Sequence, residues 1–90
     1  MNYSDYQYHY IDDASTHQIF TGRGMLHAIV ITEAAAGTIK IIDNTTGNTA
    51  NVATLKASLA EGTYKFDCSI SKGLRIITAA ATKITVIWAQ

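Results

Sequence analysis

The chain predicts an all-β fold, an antiparallel sandwich or jelly-roll-like arrangement of seven or eight short strands. Three observations carry that expectation. β-branched, aliphatic and aromatic residues gather in short runs, polar residues alternate with them at a period of two, and glycine-bearing turns separate most of the runs. Ninety residues suit one domain with a modest core. The spacing of the runs matches the many short strands of a sandwich rather than the longer units of a parallel sheet.

The N-terminal stretch differs from the rest. Four of the five tyrosines lie there, at Tyr3, Tyr6, Tyr8 and Tyr10. In an extended chain Tyr6, Tyr8 and Tyr10 fall on one face, because alternate side chains share a side. Asp12, Asp13, Ser15 and Thr16 follow as a polar connector. Residues 1–16 therefore read as a tyrosine-rich arm able to form a strand over 6–11, and residues 17–90 as the sandwich. Tyrosine combines large apolar area with a hydroxyl and is enriched at protein interfaces. Rings packed on the arm's own domain and rings at an interface weigh evenly; Tyr3, Tyr6, Tyr8 and Tyr10 are the candidate contact residues, and the arm is expected to reach beyond the body and dock on a neighbour.

The body opens with a short strand at 17–21 and a turn at Gly22-Arg23-Gly24, where either glycine accepts positive φ. Over 25–32, Leu26, Ala28 and Val30 share one face and His27, Ile29 and Ile31 the other. Both faces are largely apolar, as in a central strand covered on each side. Residues 33–37 form a loop of small residues. In 38–43, Ile39 and Ile41 point inward while Thr38 and Lys40 point out. Asp43 to Asn48 is turn chemistry throughout. Residues 50–61 fit two readings. Val52, Leu55 and Leu59 have helical spacing with Gly62 as a stop, but a short strand at 51–55 followed by a loop is favoured because its neighbours are strands. The alternation is clean over 63–70: Tyr64, Phe66, Cys68 and Ile70 face in, and Lys65, Asp67 and Ser69 face out. Residues 74–78 and 83–88 complete the set, the last with Ile84, Val86 and Trp88 on one side. The expected interior is Leu26, Val30, Ile39, Ile41, Tyr64, Phe66, Ile76, Ile84 and Val86.

Composition narrows the function classes. Seven basic residues balance seven acidic ones, so no long-range field attracts phosphate backbones or anionic lipid, and neither nucleic acid nor membrane is expected as a partner. No apolar run reaches the roughly 18–20 residues of a membrane-spanning helix. Residues 1–10 lack the basic and apolar regions of a secretory signal. The single cysteine forms no internal disulfide, and synthesis inside a cell fits. The chain has no proline and few charges, which are the usual guards of exposed strand edges. One reading is that the edges are covered, by the chain's own arm or by other subunits, and a homo-oligomer with a trimer favoured is expected.

No residues have the spacing of a catalytic, cofactor or metal site. His9, His17 and His27 lack the i, i+2 or i, i+4 separations of ligands on one face, so they read as surface or half-buried polar groups. Cys68, in the inward set, reads as an inert structural thiol. Asp13, Ser15 and His17 are triad residue types, but they crowd one connector without an oxyanion hole. Gly22-Arg23-Gly24 is too short for a dinucleotide fingerprint. The 43–48 turn lacks the alternating carboxylates and closing glutamate of a calcium loop. Glycosylation sequons at Asn2 and Asn44 mean nothing without a secretory route. An enzyme is not expected, and no cofactor is implied.

The order of motifs along the body resembles a family of small bacteriophage virion proteins. The motifs are Gly24-Met25-Leu26-His27 leading into a long strand, Gly37-Thr38 leading a strand that ends in Asp43, and Gly62-Thr63-Tyr64-Lys65-Phe66-Asp67. Gly73-Leu74-Arg75-Ile76-Ile77-Thr78 follows, and the closing strand is Lys83-Ile84-Thr85-Val86-Ile87-Trp88. From Phe20, where the first matching element opens, to Trp88 the pattern spans about three quarters of the chain and leaves the arm outside. The resemblance implies a non-enzymatic β-sandwich built into a virion, made in the host bacterial cytoplasm. Its role would be to decorate or cement the capsid through contacts with the major capsid protein or another virion protein. Head–tail junction and tail accessory proteins share that description. A small ligand- or carbohydrate-binding module is the alternative from a different class; the inward position expected for Trp88 counts against it.

Overall fold

The computed structural model describes residues 6–33, 37–47 and 49–90. Eight strands make two four-stranded antiparallel sheets: β1 (Gln7–Ile11), β2 (Thr16–Thr21), β3 (Gly24–Glu33), β4 (Ile39–Asp43), β5 (Asn51–Leu55), β6 (Gly62–Ile70), β7 (Gly73–Thr78) and β8 (Lys83–Ala89). The first sheet has the order β1-β8-β3-β6 and the second β2-β7-β4-β5. Strand 1 pairs with 8, 2 with 7, 3 with 6 and 4 with 5. The chain is therefore one long antiparallel ribbon, folded so that β8 meets β3 and β7 meets β4. That nesting is the jelly roll, within the fold class the strand pattern predicts.

Alternating side chains fill the gap between the sheets. Ile11, Leu26, Ile29, Ile41, Ile70, Leu74, Ile76, Ile84 and Val86 are fully buried there, with Phe20, Ile31 and Ile39 beside them. Tyr64, Phe66, Cys68 and Trp88 are only half-buried but pack on the same cluster. Tyr64 sits half out because its hydroxyl donates to the Ala60 carbonyl at 2.6 Å. Trp88 lies against Phe20, ring centroids 4.9 Å apart. Residues 51–55 are a strand, and Leu59 beyond it packs on the core from an irregular segment.

Val30 departs from the expected interior. It is half-buried, and Ile29 and Ile31 take the core positions instead. The cause is a β-bulge. Leu26 pairs with Trp88 and Ala28 with Ile87, so His27 is an extra residue on β3. One extra residue inverts every later side chain, turning Ile29 and Ile31 in and Val30 out.

The tyrosine-rich stretch also differs from an arm outside the body. Over Gln7–Ile11 it is the edge strand of the first sheet, in register with β8 from Gln7 opposite Trp88 to Ile11 opposite Ile84. Ile11 is 1% exposed. The 16/17 boundary lies at the start of β2, which begins at Thr16. Tyr3 lies outside the described residues.

Candidate functional site

The registers of β1, β8, β3 and β6 set out the outer face of the first sheet row by row. Tyr10, Thr85, Val30 and Thr63 form one row across the strands; Tyr8, Ile87, Ala28 and Lys65 form the next. Tyr8 and Tyr10 are 76% and 48% exposed, and they are the exposed large hydrophobic side chains among the described residues. Beside them Ile87 and Val30 are half-buried and Ala28 is buried. The face is thus an apolar strip walled by tyrosines along β1, with the charged Lys65 and Asp67 on the far strand. The outer face of the second sheet carries no exposed large hydrophobic side chain among the described residues. Arg75 lies over it, its Nη1 donating to Gln18 Oε1 at 3.1 Å, while Gln18 Nε2 donates to the carbonyls of Phe20, Asn44 and Leu74.

At the Tyr6 end of the tyrosine wall the β3 bulge carries His27 outward. The opposing strand bulges at the same level. Leu26 pairs with Cys68 and Ala28 with Lys65, so Phe66 and Asp67 together stand opposite His27. Asp67 has φ +46°, in the left-handed region that a short polar side chain tolerates better than most. His27 Nδ1 is hydrogen-bonded to Asp67 Oδ1. Tyr6 stacks on the imidazole, centroids 4.3 Å apart and planes 17° from parallel. With Met25 these residues line a cleft of about 450 Å³.

A second polar cluster lies where the edge strands of the two sheets meet. His9 Nε2 and His17 Nδ1 are 3.3 Å apart. Ser15 Oγ donates to Asp13 Oδ1 at 2.7 Å, and both oxygens lie on His17 Nε2, at 2.7 and 3.0 Å. Hydrogen bonds from His17 and Ser15 hold the Asp13 carboxyl below its ordinary range. This is not the relay of a hydrolase. That relay needs the serine on one imidazole nitrogen and the carboxylate on the other. Here both crowd Nε2, the serine proton goes to the aspartate, and Nδ1 meets another imidazole. Thr78 Oγ1 donates to the Asp13 carbonyl at 2.7 Å and accepts from the Ser15 amide at 3.0 Å. The cluster is a latch fixing the β1–β2 connector to β7.

The remaining candidates are structural. Asp43 accepts from the backbone amides of Ser71, Lys72 and Gly73 at 2.9, 2.8 and 3.3 Å, so its carboxylate serves a turn. Burial pushes the Cys68 thiol up. Among the described residues no group of three or more His, Cys, Asp or Glu is arranged to hold a metal ion.

The sequence singles out Asp13, Ser15 and His17 as triad residue types, and the structure brings these three together; His9 beside His17 and the His27–Asp67 pair the sequence does not show. His9 and His17 are eight residues apart and His27 and Asp67 forty. One signal for the His27 site does exist: a histidine assigned to the same buried face as Ile29 and Ile31 is a conflict, and a bulge resolves it. No protein-family model matches the chain, and no curated protein matches it in sequence.

Proposed function

We propose that the chain is a non-enzymatic structural protein of a bacteriophage virion, a capsid decoration or cement protein. Its outer β1-β8-β3-β6 face seats on the major capsid protein. One observation carries this reading: Tyr8 and Tyr10 stand exposed beside an apolar strip on a sheet face that the described residues leave open. Exposed aromatics at the centre of a contact are the residues that dominate binding energy. The motif order of the body and the jelly-roll topology, a frequent capsid architecture, support the same reading, though a fold by itself does not set function. The polar clusters agree with it, since the Asp13–Ser15–His17 group latches strands and Asp43 caps a turn.

The test is co-sedimentation with shells of the parent phage's major capsid protein. The wild-type chain should pellet with the shells. The Tyr8→Ser/Tyr10→Ser pair should bind at least about ten-fold more weakly while keeping its melting temperature. Wild-type chain left in the supernatant, or a double variant that pellets as well as the wild type, refutes the reading. Pelleting with purified tails instead would move the same face to a tail role.

A further inference from the structure

We propose that the cleft lined by Tyr6, Met25, His27 and Asp67 binds a neutral saccharide. The proposal stands on the geometry of that corner alone and is independent of the virion reading.

The corner is constructed rather than incidental. Bulges on β3 and β6 oppose each other at one level, and both serve to aim one side chain. A non-glycine residue, Asp67, is kept at φ +46°, and backbone strain of that kind persists where surrounding structure enforces it, often at binding sites. The pair so formed adds nothing to the core. The His27 and Asp67 side chains are 25% and 51% exposed, and Tyr6 and Met25 are half-buried beside them.

The chemistry of the lining selects the ligand. His27 engages Oδ1 of the carboxylate, which leaves Oδ2 as an acceptor of hydroxyl protons. With Nδ1 turned to Asp67, the imidazole presents Nε2 as its second polar atom. The Tyr6 stack holds the ring in that orientation. Two polar atoms on adjacent groups match neighbouring hydroxyls, and Met25 with the edge of the Tyr6 ring lines the cleft with apolar surface for the C–H face of a sugar ring. No lysine or arginine lines the cleft, and the carboxylate repels phosphates and acidic sugars. Two ligating side chains are too few to hold a divalent metal. A hydroxyl-rich, uncharged ligand with an apolar face is what remains.

The experiment is a titration followed in ¹H–¹⁵N spectra. The probes are glucose, galactose, N-acetylglucosamine and a β-linked trisaccharide of each. At least one should move the resonances of Tyr6, Met25, His27 and Asp67 in a saturable way. Asp67→Asn keeps a side chain suited to left-handed backbone but loses the charge, and should bind about ten-fold or more weakly. Met25→Ala should weaken binding as well, and the Tyr8→Ser/Tyr10→Ser pair should bind as the wild type does. The proposal fails if no probe moves these resonances at millimolar concentration, if the shifts lie elsewhere, or if Asp67→Asn binds unchanged. Because the tyrosine pair tests the particle contact and Asp67→Asn tests the cleft, failure of one reading is distinguishable from failure of the other.

Discussion

Asp43 shows how much one side chain does in a chain this small. Burial alone would raise its pKa. The amides of Ser71, Lys72 and Gly73 outweigh that and hold it below its ordinary value of 3.8. A carboxyl with a lower pKa folded than unfolded stabilises the fold above the unfolded value. That stability is lost as pH falls through the folded one. Asp43→Ala should therefore cost about 1–3 kcal/mol at neutral pH. The gap between variant and wild type should narrow as the solution is acidified below about pH 4. Denaturation followed by Trp88 fluorescence measures both, and a gap that is constant down to pH 2 would contradict the assignment. Neighbouring Ile29 and Val30 test the bulge in the same way. Ile29→Ala empties a fully buried site and should cost about 2–5 kcal/mol. Val30→Ala, on the outer face, should cost about 1 kcal/mol or less. Equal costs would place the bulge elsewhere. Apart from His27, the residue pattern is silent on this inversion. Over 25–32 both faces are apolar, so an alternation shifted by one residue looks the same as one that is not. On β6, by contrast, Lys65, Asp67 and Ser69 are polar and mark their side plainly.

At the scale of the element, β1 carries the largest consequence. A strand of five residues at a sheet edge rests on one neighbour, β8, and on what it buries. Ile11 reaches the core, and His9 meets His17 across the two sheets. Deleting residues 1–11 strips Ile84 and Val86 of cover and leaves β8 as the new edge. The truncated chain should lose several kcal/mol, a large part of the stability of a domain this size. A deletion variant with an unchanged melting temperature would return 1–16 to the status of a dispensable arm. Strand identity was legible almost everywhere, because β-branched runs between turn residues name themselves. Even the ambiguous 51–55 segment is a strand. The role of β1 was not legible. Alternating tyrosines say that one face is aromatic, but not whether the opposite face, with His9 and Ile11, finds a partner in its own chain or in another. The His27–Asp67 pair was hidden for a related reason: only the pairing of β3 with β6 brings together two residues forty apart.

At the scale of the whole molecule, the sheets keep four edges: β1 and β6 in one, β2 and β5 in the other. Without proline, β1, β2 and β5 are guarded mainly by shortness, at five or six residues each, and the nine-residue β6 by Lys65 and Asp67. Self-association with a trimer favoured remains the expectation attached to the proposed function. Light scattering of the purified chain at high concentration should show oligomers, and monomers both there and on the particle would exclude them. The lack of proline has a kinetic counterpart. Refolding should run in the millisecond-to-second range set by non-local strand pairing, with no phase of tens of seconds from prolyl isomerisation. Stopped-flow fluorescence at Trp88 would reveal such a phase if another slow step were present.

The nested ribbon has a consequence for how the molecule is made. A ribosome emits β1 first and β8 last, yet β8 lies between β1 and β3 at the middle of its sheet. Until Lys83–Ala89 has emerged, β1 has no strand to join and the β3–β6 pair stands alone on its side. The domain therefore gains little from folding as it is synthesised and closes in one step after its last strand leaves the exit tunnel. Nascent chains arrested before residue 83 should be cut readily by protease, and chains extended by a linker long enough to free residue 89 should resist it. Protection that rose gradually with chain length would instead mean that the second sheet, whose strands are all complete by residue 78, folds on its own ahead of the first.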